Sequence, residues 1–82
     1  MSKAKLFLDS SALFAGIISS TGAARALLLL AESDHITIFL SEQVVGETER
    51  AIARKVPQAL ADLRAAIFAS KAQIVRDPTP AE

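Results

Sequence analysis

The chain is expected to form an α/β domain, a parallel sheet flanked by helices in the order β-α-α-β-α-α-β. Three observations predict this. Short apolar runs at 6–8 (LFL) and 36–40 (ITIFL) are too short for helices and rich in strand formers. Longer segments between and after them carry apolar residues at helical spacing. Helices that intervene between strands require crossover connections, so the strands run parallel with helices on the sheet's faces.

Each element has its own signature. Leu6, Phe7 and Leu8 form a continuous apolar run, the pattern of a strand covered on both faces. Asp9 and Ser10 follow, and either suits the N-cap of a helix from about Ser11 to Ile18. SSTG at 19–22 reads as a turn, because its side chains bond their own backbone. A second helix covers about Ala23 to Ser33. Its four leucines, Leu27 to Leu30, predict burial on several sides. The second strand, Ile36 to Leu40, ends at Ser41, a plausible N-cap for a third helix to about Lys55. Pro57 suits the first turn of a fourth helix, where Leu60, Leu63 and Ile67 recur at helical spacing. AQIVR at 72–76 reads as a third strand. DPTPAE at 77–82 reads as an extended, proline-containing tail. The domain is therefore assigned to residues 1–76 and the tail to 77–82.

Composition narrows the function classes. The chain has 82 residues, enough for one small domain whose core is marginal in size. Nine basic residues balance nine acidic ones, so nucleic-acid binding would need a local patch rather than a basic surface. Absence of cysteine excludes disulfides and thiolate metal sites. Trp and Tyr are also absent, which argues against a base-stacking platform. The N-terminal segment lacks a signal peptide's apolar stretch and cleavage site, and ARALLLLAE is too short to span a membrane. A soluble, cytoplasmic chain without membrane contact is expected. No G-x-G-x-x-G, P-loop or G-x-S-x-G is present, so nucleotide cofactors and serine hydrolysis have no support.

The acids carry the candidate chemistry. In open parallel sheets, ligands bind beyond the carboxyl ends of the strands. Asp9 stands at such an end; it is equally well placed as an N-cap. Glu47 lies about two turns into the third helix, three residues after Val44 and four before Ala51, near the buried stripe. It is either a surface partner of Arg50 or Arg54, or a second acid approaching the same crevice. Convergent carboxylates suit a hard cation such as Mg²⁺ or Mn²⁺, which takes oxygen ligands. Arg25, Arg50, Arg54 and Lys55 suit either a phosphate-steering rim or a solvated helix face. His35 has no partner at ligand spacing and reads as a surface residue.

With Asp9, the hydroxyl of Ser11, the helix GAARALLLL, the strand ITIFLS and the acid inside VVGETERAIARK, positions 5–76 resemble the N-terminal half of a PIN domain. That is the fold of toxin ribonucleases from toxin–antitoxin pairs and of several RNA-processing nucleases. The resemblance implies a Mg²⁺- or Mn²⁺-dependent endoribonuclease, possessing RNA as substrate and an antitoxin protein as partner. Asp9 and Glu47 would be its first two acidic metal ligands, with Ser11 orienting Asp9 or a bound water. The family's remaining acids lie in a C-terminal half beyond the matched region; Asp77 and Glu82 match no family position. The chain is therefore expected to be truncated relative to the family, and weak or inactive alone. The family's first strand is central, so the edge at Leu6 to Leu8 is expected to pair in a homodimer or with a complementing chain. The alternative is a non-catalytic PIN-like interaction or assembly module, its acids serving as caps and surface charges.

Overall fold

Parallel pairing sets the architecture. The computed structural model describes residues 3–76; the expected tail, with Asp77 and Glu82, lies outside the described residues. The elements are β1 (Ala4–Phe7), α1 (Ser10–Ile18), α2 (Ala23–Glu32), β2 (Ile36–Ser41), α3 (Glu42–Lys55), a 3-10 turn (Pro57–Ala59), α4 (Leu60–Ala69) and β3 (Gln73–Val75). Both strand pairs are parallel and the order is β1-β2-β3, with β2 in the centre. Leu6 lies opposite Ile38, Phe7 opposite Phe39 and Leu40 opposite Ile74.

Strands placed in chain order, with right-handed crossovers, send every helix to the same face. The burial pattern agrees. Leu8, Ile38 and Leu40 are buried, and Leu6 and Ile36 pack against them. α1 contacts α2, α3 and α4, as a single helical layer requires, and the molecule is only 18 Å thick across its shortest axis. The alternate residues Lys5, Phe7, Thr37 and Phe39 point to the other face. The expectation that β1 is covered on both faces is therefore corrected. Phe7 is 67% exposed, and its ring stacks on Phe39 with centroids 5.1 Å apart.

The core is built from residues on both layers. Leu13 of α1, Ile38 and Leu40 of β2, Ile52 of α3 and Leu63 of α4 are fully buried. Each such side chain contributes about 1.5–3 kcal/mol by leaving water. Thr48 is buried among them, and its hydroxyl donates to the Val44 carbonyl at 2.8 Å, which removes the cost of burying it. α2 departs from expectation. Leu28 and Ala31 are buried, whereas Leu29 and Leu30 are exposed, so the leucine run covers one face only. α2 packs on α1 and β2, and among the described residues nothing buries the outer side that carries Leu29 and Leu30. Its close approach to α1 depends on Gly16, where a Cβ would meet Leu28 Cδ1 at 2.9 Å. Gly22 opens α2 at φ +102°, a conformation that favours glycine.

The amino-terminal rim of the sheet is tied by one carboxylate. Asp34 precedes β2 and pairs with Lys71, ahead of β3, at 3.1 Å and with Lys3, ahead of β1, at 3.5 Å. Asp34 and Lys71 both adopt left-handed backbone, φ 65° and 58°, in the two helix-to-strand turns. The Lys71 ammonium, by hydrogen bond and then by charge, holds the Asp34 carboxyl below its ordinary range, and Lys3 adds to this.

Candidate functional site

At the opposite rim, two strand ends become two helix starts. After β1, Asp9 takes an extended conformation, and its Oδ1 accepts the Ala12 N–H at 2.8 Å. Of the two candidate caps, Asp9 is the one used. After β2, Ser41 does the same for α3, its hydroxyl accepting the Val44 N–H at 3.0 Å. Because β1 and β2 are parallel neighbours, α1 and α3 start on one rim and pack along each other.

Between these helices lies a cleft of about 240 Å³ lined by Ser10, Ser11, Phe14, Glu47, Thr48, Ala51 and Lys55. Ser11 and Glu47 are thus brought together across it. Asp9 stands one residue outside, at the lip, exposed and with one oxygen engaged by the helix backbone. Glu47 is half-buried, and its Oε2 accepts a hydrogen bond from Gln43 Nε2 at 3.2 Å. Neither Arg50 nor Arg54 pairs with Glu47 among the described residues, so the surface ion pair weighed from sequence is not formed. At the other end of the cleft, the Lys55 ammonium sits 5.7 Å from the centroid of the Phe14 ring. Glu47 and Lys55 are two turns apart on α3, about 12 Å along its axis. The cleft is therefore polarised, with a carboxylate beside the α1 N-terminus and an ammonium farther along.

The basic rim is only partly assembled. Arg25 faces a different cleft, of about 390 Å³, between the C-terminal end of α1 and helices α2 and α4. There its guanidinium donates to the Gly16 carbonyl at 3.1 Å, with Glu32 and Asp62 nearby. Although larger, that cleft lacks the strand ends and both candidate acids. The smaller cleft is the one beside the carboxyl ends of β1 and β2, where α1 and α3 begin. His35 is exposed in the turn before β2.

Sequence reasoning missed Ser10, Phe14 and Thr48 as cleft residues. A signal existed, since Glu47, Ala51 and Lys55 recur every four residues and Ser10 and Phe14 are likewise four apart. Two such rows on facing helices enclose a groove. Which helices face each other is set by sheet order, which spacing along one chain does not encode.

All the polar groups at the acidic end are oxygen donors, the kind Mg²⁺ and Mn²⁺ prefer. Their number is small: among the described residues, no group of three or more His, Cys, Asp or Glu is placed to hold a metal ion. No single helix among the described residues is long and apolar enough to cross a membrane. Comparison of the chain with protein-family models, with curated proteins and with solved structures gave no match.

Proposed function

We propose that the chain is a PIN-like, metal-dependent endoribonuclease unit of the toxin type, acting on RNA in the cytoplasm and having an antitoxin protein as partner. The observation that carries this reading is the cleft at the carboxyl ends of β1 and β2, which sets Ser11 opposite Glu47 with Asp9 at its lip. A bound divalent cation supplies phosphate charge stabilisation and water activation. Asp9 and Glu47 would hold it, with the Ser11 hydroxyl orienting Asp9 or a water.

The other parts of the cleft suit a phosphodiester. The α1 N-terminus presents backbone N–H groups and the positive end of its dipole. Gln43 Nε2 donates a hydrogen bond to the Glu47 carboxylate from one turn back on α3. Lys55, with exposed Arg54 on the same helix end, offers positive charge to a phosphate backbone. Two carboxylates hold a divalent ion weakly without substrate phosphates to share it, so slow turnover by this chain alone is expected.

The test is cleavage of a fluorescent mixed-sequence RNA in Mn²⁺, with EDTA, Asp9→Asn and Glu47→Gln as controls. Cleavage lost in all three supports the nuclease reading. Cleavage that survives both substitutions assigns the activity to something other than these acids.

A second reading is favoured by one observation, that Asp9 already serves as the α1 cap. In that reading the domain is a non-catalytic interaction or assembly module without metal chemistry. The two differ on Mn²⁺. Paramagnetic broadening of amide signals localised around Asp9, Ser11 and Glu47 supports the nuclease, and a spectrum unchanged by Mn²⁺ supports the module.

A further inference from the structure

β1 pairs on one side only among the described residues, leaving a row of backbone donors and acceptors along Ala4–Phe7. Open edges of this kind template pairing with another strand. β1 has no proline, no bulge and no charge directed at the helix-covered face; the devices that moderate its edge are its four-residue length and Lys5. Its one charge, Lys5, points to the bare face beside Phe7 and Phe39. We propose that this edge is a self-association seam, in which β1 of a second copy of the chain adds antiparallel to β1 across a two-fold axis at Leu6.

Charge and face select this register. Centring on Leu6 places Leu6 opposite Leu6 of the second copy, on the helix-covered side where it already meets the core. Lys5 then lies opposite Phe7 of the second copy, an ammonium against an exposed ring, and the pair occurs twice by symmetry. Moving the axis to Lys5 would put two lysines face to face. A one-residue slip would turn Lys5 toward the helix-covered side of the second copy. Moving the axis to Phe7 would place it at the last residue of the strand, with half the ladder lost.

The result is a continuous six-stranded sheet with both helical layers on one side and both Phe7–Phe39 stacks on the other. The seam is short, so association belongs to the weak, concentration-dependent class. This inference does not rest on the nuclease reading, and its test measures mass rather than cleavage.

Sedimentation equilibrium of the full chain is expected to show mass rising with concentration from 8.7 kDa toward twice that value. Phe7→Lys is expected to weaken self-association roughly tenfold or more, because like charges then face each other at two symmetric positions. Lys5→Glu combined with Phe7→Lys is expected to restore it, since opposite charges then meet. Far-UV circular dichroism checks that each variant is folded; Lys5 and Phe7 are both exposed, which makes both substitutions tolerable. A chain that remains monomeric up to about 1 mM, the weak end of specific association, overturns the proposal. So does a Phe7→Lys variant that associates like the parent, or a folded double variant that fails to recover, or an edge that captures other strands but never its own copy.

Discussion

At position 9 the carboxylate already has a structural occupation, and this shapes how its chemistry is tested. Asp9 Oδ1 holds the Ala12 N–H at 2.8 Å. Asn is as good a cap as Asp, whereas Ala is a poor one. Asp9→Asn is therefore expected to keep stability within about 0.5 kcal/mol, and Asp9→Ala to lose about 1 kcal/mol, by urea unfolding. A loss of Mn²⁺-dependent activity in the stable Asn variant then reports charge rather than folding. Glu47 teaches a related lesson. Its spacing allowed a partner on either side, Gln43 one turn back or Arg50 and Arg54 ahead. The side chain reaches back to Gln43, while the guanidinium of Arg50 lies near Gly46. Spacings of four back and three ahead are both within reach on a helix and do not reveal which rotamer the packed helix permits.

Among the elements, α2 shows most clearly what periodicity leaves open. Four consecutive leucines look alike in sequence, yet Leu28 is 3% exposed and Leu29 is 50% exposed. Leu28→Ala removes packing from the core and from the Gly16 contact, so a loss of about 2–5 kcal/mol is expected. Leu29→Ala is expected to cost less than about 1 kcal/mol. Paired thermal or urea unfolding of the two variants checks the contrast, and equal losses would mean that α2 is covered on its outer side in solution. α1 and α3 were more legible because each start is marked by a polar cap: Ser41 was anticipated and bonds Val44 as a cap should. The last helix begins differently, through a 3-10 turn at Pro57–Ala59, since proline fits a first turn without a donor to satisfy.

At the scale of the whole molecule, Asp34 links the entrances of all three strands through Lys3 and Lys71. Its folded-state carboxyl titrates below the ordinary value of 3.8. A depressed carboxyl contributes stability that is fully present above the unfolded pKa and is lost as pH falls through the folded one. The acid limb of the stability curve, below about pH 3.8, is where this ion pair disappears. Asp34→Asn tolerates the left-handed backbone but lacks the charge, so its melting temperature is expected to change less than the parent's on acidification. Because the pairs are exposed, the difference at neutral pH is expected to be small and to shrink further with added salt. Thermal melts of both proteins between neutral pH and about pH 2 measure this.

Strand and helix positions, their alternation, the parallel sense of the sheet and the place of Asp9 at a strand end were all readable from residue type and spacing. Those features are local, or follow from the handedness of crossovers. Three others were settled only when the elements came together. The strand order β1-β2-β3 put every helix on one face, which left Phe7 exposed, Phe39 half-buried beneath it and α2 half in solvent. The pairing of α1 with α3 made a cleft that joins Ser11 to Glu47 and Phe14 to Lys55, and it sent Arg25 elsewhere. The edge of β1, expected from the resemblance to lack a neighbour, is unpaired among the described residues because of the same order. Such outcomes depend on contacts between residues far apart in the chain, and no local periodicity specifies which two faces meet.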